Sequence, residues 1–74
     1  MYEKLKTLLV TELQIDEEDI NLDSKLAGDL GINSIELADL VMLCEDKFDI
    51  EIKDDDIHNF ITVGDVVKYL ERVA

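Results

Sequence analysis

Apolar residues recur along this chain in three helical stripes, separated by stretches that keep other rhythms. Leu5, Leu8, Leu9 and Leu13 alternate with Lys4, Lys6, Thr7 and Glu12, which predicts a first helix over Tyr2 to Gln14. Leu37, Leu40, Val41, Cys44 and Phe48 fall on one side of a longer helix that opens at Ser34. Val63, Val66, Val67, Leu70 and Val73 give the buried stripe of a last helix, with Thr62 as its cap and Asp65 as an imperfect box partner. Ile15 to Gly31 has no single period and is long for a connection in so small a chain. Ile15, Ile20, Leu22, Leu26 and Leu30 recur there as anchors, so it reads as a structured loop with a helical turn near Asp16 to Asp19. Asp49-Ile50-Glu51-Ile52 alternates like a strand, but no other segment offers it a partner, and an extended connector is expected. Asp54, Asp55 and Asp56 then lead a short third helix ending near Asn59, where acids suit the positive helix end.

The second helix has the sharpest start. Gly31 breaks the preceding segment, and Asn33 can accept a backbone N–H that the first turn leaves unpaired. Glu36, three residues on, can reach back to the cap, as in a capping box. Ser34 is then the first helical residue and exposed. The face opposite the core stripe mixes Asp39 and Asp46 with Ile35 and Met42, flanked by Glu36 and Leu43. Acids interleaved with large apolar side chains suit a docking surface for basic partners, although scattered exposed apolar residues are also common on wet faces.

Seventy-four residues allow one small domain, residues 1–74, with a single core. The net charge of −12 argues against nucleic acid and anionic membranes as partners, because both would repel the chain. Ten acids against two lysines lie between Asp29 and Asp56, so the negative field is concentrated around the second and third helices. Such charge strains the compact state, and added salt or magnesium is expected to raise the melting temperature; an unchanged value across the titration would contradict this. One cysteine excludes an internal disulfide, and Cys44 on the core stripe reads as a small buried hydrophobe. No signal-peptide pattern, membrane-length apolar run, repeat or low-complexity linker is apparent. A free-standing, monomeric, cytoplasmic protein is expected. Asp19, Asn21 and Asp23 imitate the start of a calcium loop, but Ser24 stands where glycine is needed and Leu30 where glutamate is, so no metal site is assigned.

Asp29-Leu30-Gly31-Ile32-Asn33-Ser34-Ile35, then Leu40-Val41-Met42 and Glu45, Phe48, Asp49, Glu51 and Ile52, resembles an acyl carrier protein over essentially the whole chain. The hallmark of that family is Asp-Ser-Leu at the start of its second helix. The resemblance implies an all-α fold: a small four-helix bundle with up-down packing, a long first loop and a short third helix. It implies that Ser34 carries a 4′-phosphopantetheine arm whose thiol holds acyl groups as thioesters. It places partner contacts at Ile35, Glu36, Asp39, Met42, Glu45 and Asp46, and an acyl pocket at Leu40, Cys44, Ile52, Ile57 and Phe60. The implied partners are a phosphopantetheinyl transferase with coenzyme A, and acyl transferases, synthases and other acyl-processing enzymes with basic patches.

A catalytic serine is the competing chemistry, and it fares badly. The chain has no Gly-x-Ser-x-Gly elbow, and its single histidine, His58, comes with no triad or oxyanion hole. The expected role is therefore a carrier without catalytic activity, serving fatty-acid, polyketide or related synthesis. The alternatives are an unmodified acidic interaction domain with the same bundle, or a carrier of aminoacyl groups. Asn33 in place of aspartate, Ile35 of leucine, Lys47 of an acid and Lys53 of proline depart from the family pattern. These departures point toward a specialised member.

Overall fold

The computed structural model describes residues 1–73. Its helices are α1 (Tyr2–Glu12), α2 (Ser34–Phe48), α3 (Asp54–Ile57) and α4 (Val63–Val73), with a 3-10 turn at Glu17–Asp19 inside the first loop. Among the described residues the only extended pairing is one isolated bridge, Lys25 to Thr62. The expected all-α bundle with a long first loop and a short third helix is what forms.

Leu5, Leu8 and Leu9 of α1 meet Leu40, Val41 and Cys44 of α2 and the Val63–Leu70 stripe of α4 in one core. Ile20, Leu26 and Ile32 bring the first loop into it, and Ile52 and Phe60 bring in the segments around α3. Six expectations need correction at the margins. Leu22 is 50% exposed and Val73 is 40% exposed, because one lies on the outer turn of the loop and the other in the last turn of α4. Leu37 and Phe48 pack against the core but stay half-buried. The first helix ends at Glu12 rather than Gln14, and the third at Ile57 rather than Asn59.

Backbone geometry explains two of the helix ends. Gln14 takes a left-handed conformation, φ 56°, and the Ile15 N–H returns to the Leu9 carbonyl at 3.0 Å. That closure spans seven residues, one more than a Schellman motif, and is made without glycine. At the end of α2, Asp49 is left-handed, φ 54°, and Ile50 N–H bonds the Glu45 carbonyl at 3.1 Å. The Glu45 carboxylate then accepts the Ile52 N–H at 2.8 Å, which fixes the connector and turns Ile52 into the core.

The first loop is tied to α4 through main-chain groups. Val63 N–H donates to the Ser24 carbonyl at 3.0 Å and Gly64 N–H to the Leu22 carbonyl at 2.9 Å. These are first-turn donors that a helix leaves unpaired, so the loop itself caps α4. Thr62 and Asp65 complete the cap: Asp65 N–H reaches Thr62 Oγ1 at 3.2 Å, and Asp65 Oδ2 accepts from the Thr62 and Ile61 N–H groups at 3.0 and 3.1 Å. The Thr62 N–H is the main reason the Asp65 carboxyl titrates below its ordinary range. Its contribution is therefore full at neutral pH and is lost as acid carries the pH through that lowered value. Ser24 is buried, with its hydroxyl donating to the Asp19 carbonyl at 2.7 Å and accepting the Asn21 N–H at 3.0 Å.

This loop-to-helix contact has a sharp requirement. A Cβ at Gly64 would lie 2.9 Å from the Leu22 carbonyl oxygen, a backbone atom that cannot swing aside. Gly64→Ala should therefore destabilise the protein by about 1–3 kcal/mol despite the better helix propensity of alanine. Urea unfolding of the two proteins checks this, and a gain in stability would contradict it.

Candidate functional site

The segment ahead of α2 is a tight turn braced from within. Asp29 Oδ2 accepts the Lys25 N–H at 2.8 Å, and the Lys25 carbonyl accepts from Asp29 and Leu30 N–H at 2.9 and 3.0 Å. Gly31 leaves this turn at φ 68°, a left-handed conformation that glycine adopts without penalty. Ile32 N–H then bonds the Leu26 carbonyl at 2.9 Å and its side chain is buried, which fixes where the next residues emerge.

Asn33 is extended, φ −88° and ψ 179°, and the capping box expected from sequence is present in full. Glu36 N–H donates to Asn33 Oδ1 at 2.8 Å, and Asn33 N–H donates to Glu36 Oε1 at 3.3 Å. Ser34 follows as the first helical residue and is exposed. The N–H groups of Ser34 and Ile35 find no protein acceptor among the described residues, so the positive end of α2 is open at the hydroxyl. Beside it opens a mainly apolar groove of about 310 Å³, lined by the Lys25–Gly28 turn, Ile32, Asn33, Ser34, Leu37, Phe60 and Ile61.

The outer face of α2 exposes four of the six residues expected at a partner surface. Ile35 is 75% exposed and Met42 66% exposed, with Asp39 and Asp46 exposed on the same helix. Glu36 and Glu45 are placed differently from free docking acids. Both are half-buried, one oxygen of Glu36 holding the cap and one of Glu45 holding Ile52. The expected acyl-pocket residues also divide. Leu40, Cys44, Ile52 and Phe60 are packed inside the core, and Ile57 rests half-buried against it. Of these five, only Phe60 also lines the groove beside Ser34. Burial, with Glu45 adding repulsion, pushes the Cys44 thiol up to about 11, so it is a packing group and not a nucleophile. His58 is exposed just beyond α3. Sequence reasoning missed Lys25, Ala27, Gly28 and Ile61 as groove residues, since no periodicity marks a turn that is positioned by main-chain bonds.

An exposed hydroxyl, an open helix start and an apolar groove fit a phosphodiester-linked pantetheine arm. The family described as phosphopantetheine attachment site matches residues 3–70. An acyl carrier protein of a Sulfurovum species is 40% identical over 73 residues, covering 99% of this chain and 97% of that one. The chain belongs to the acyl carrier protein family. This carrier is also 37% identical to an acyl carrier protein of Campylobacter lari, over 99% of this chain and 95% of the relative. Its fold is similar to the crystal structure of an acyl carrier protein from Thermotoga maritima, with a TM-score of 0.83 and 27% identity over 95% of this chain and 81% of the other. Family membership makes 4′-phosphopantetheine the prosthetic group and acyl-processing enzymes the general class of partner. No helix among the described residues is long and apolar enough to cross a membrane.

Proposed function

We propose that Ser34 takes the 4′-phosphopantetheine arm and that this carrier then presents acyl groups as thioesters on the arm's terminal thiol. The observation that carries the assignment is the position of Ser34, exposed at the open start of α2 and at the edge of an apolar groove. In attachment, the Ser34 oxygen forms a bond to the pantetheine-side phosphorus of coenzyme A. The bond from that phosphorus to the bridging pyrophosphate oxygen breaks, and the nucleotide leaves as adenosine 3′,5′-bisphosphate. The serine proton passes to a base of the transferase. The new phosphodiester is an anion against a helix start, an arrangement favoured by the free N–H groups and the helix dipole.

The partners are a phosphopantetheinyl transferase and acyl-processing enzymes with basic patches, working in the cytoplasm. Asp39 and Asp46 supply the charge that steers them, and Ile35 and Met42 supply the apolar grip. Glu36 and Glu45 contribute field with the oxygens that are not engaged in the fold. A carried chain enters the interior bounded by Leu40, Cys44, Ile52 and Ile57. That interior is closely packed, so it opens only when a chain displaces side chains, and Phe60, shared by groove and core, is the way in.

Intact-mass measurement after incubation with coenzyme A and a phosphopantetheinyl transferase tests the attachment. One arm's mass should be gained per chain, with peptide mapping placing it on Ser34. A bare mass with a transferase that loads another carrier in parallel would overturn the reading.

A further inference from the structure

Lys25 is the one basic residue that lines the groove shared with Ser34. Its position is set from several sides. Its N–H is held by Asp29 and its carbonyl by the Asp29 and Leu30 N–H groups, while its backbone bridges to Thr62. Its stem passes over Gly28, where an added Cβ would touch Lys25 Cβ and Cδ at 3.6 Å each. That is ordinary packing distance, so the stem lies along the turn at Gly28. Among the described residues the one ion pair is Lys6 with Glu17, so the Lys25 ammonium, unlike its backbone N–H, has no carboxylate partner in a chain of net charge −12. An unpaired cation, carried on a braced turn at the edge of an apolar groove, suits an anion that arrives there later.

We propose that Lys25 is a positioning residue for the prosthetic arm, its ammonium meeting the phosphodiester formed on Ser34 and holding the first atoms of the arm over the groove. The proposal rests on the attachment of the arm to Ser34. The diester adds a negative charge where negative charge is already in excess, and a lysine ammonium is a flexible point charge able to follow it. The Ser34 and Ile35 N–H groups lie at the helix start, and Lys25 comes from the loop. The two sets of donors would approach the phosphate from different elements. Being exposed, the contact should weaken with salt.

The test uses the loaded protein, with loading first established by intact mass for wild type, Lys25→Gln and Lys25→Arg. Phosphorus NMR of each is then followed through a sodium chloride titration. Wild type and Lys25→Arg should share a phosphorus shift displaced from that of Lys25→Gln, and the displacement should fade as salt rises. Melting temperatures of bare and loaded forms give a second readout. Lys25→Gln should lower that of the loaded form more than that of the bare form, whereas a merely structural lysine would affect both alike. Normal loading with identical phosphorus shifts in all three proteins would overturn the role of Lys25 and leave the attachment at Ser34 standing. Failure of every protein to load would overturn both.

Discussion

Ser34→Ala protein, exposed to coenzyme A and a competent transferase, should keep its bare mass while wild type gains the arm completely. The expected loss is total, because the reaction needs an oxygen at that position and no neighbour can replace it. The chain has one other serine, Ser24, and it is 4% exposed with its hydroxyl bonded to the Asp19 carbonyl. The variant should remain folded. Ser34 is an exposed first-turn residue, its capping work is done by Asn33 and Glu36, and alanine is a good helix former, so the cost should stay within about 0.5 kcal/mol. Unchanged circular dichroism with no mass gain would therefore assign the loss to the missing hydroxyl. An Ala variant that still acquires the arm would move the attachment elsewhere and end the assignment.

The parts of this fold that were legible in the sequence are those where a side chain carries the signal. The leucine stripe of α1 and the valine stripe of α4 announce their core faces through spacing. The Asn33–Glu36 box and the Thr62–Asp65 cap announce helix starts through side-chain chemistry, and all four residues make the bonds their types suggest. What stayed hidden depends on main-chain groups. Leu22 looks like an anchor in a row of apolar residues, but it is its carbonyl that matters, capping Gly64 while the side chain faces out. Gly64 looks like a weak point in a helix, yet only glycine admits that carbonyl so closely.

The site divides along the same line. Ser34, Ile35, Asp39, Met42 and Asp46 were readable as an exposed acidic and apolar face because helical periodicity fixes which side of α2 they occupy. Glu45 was not, since its bond to Ile52 closes a seven-residue loop whose path no local pattern encodes. The groove was hidden for a related reason. Its residues come from the Lys25–Gly28 turn, the start of α2 and the Phe60–Ile61 link, three segments brought together by the Ile32–Leu26, Leu26–Ile61 and Lys25–Thr62 backbone contacts.

Leu9→Ala should bring the protein to the edge of unfolding at low ionic strength, whereas Leu22→Ala should leave it nearly as stable as wild type. Leu9 is 0% exposed in the packed centre, and its carbonyl also closes the end of α1. Removing a fully buried leucine side chain typically costs about 2–5 kcal/mol, for lost burial plus the cavity left behind. A domain of this length is expected to have only roughly 4–11 kcal/mol in total, and self-repulsion among the acids pulls it toward the lower end. At about 4–8 °C per kcal/mol for a domain of this size, the melting temperature should fall by at least about 8 °C. Because the repulsion is screened while the cavity is not, salt should recover part of the lost stability but never equalise the two proteins at the same ionic strength. Leu22, half-exposed, forfeits little by truncation, and its carbonyl remains to cap α4. Thermal unfolding followed by circular dichroism, at low and high salt, measures all of this. Equal losses for the two variants would mean that the first loop is anchored by the Leu22 side chain after all, and that burial does not rank these leucines.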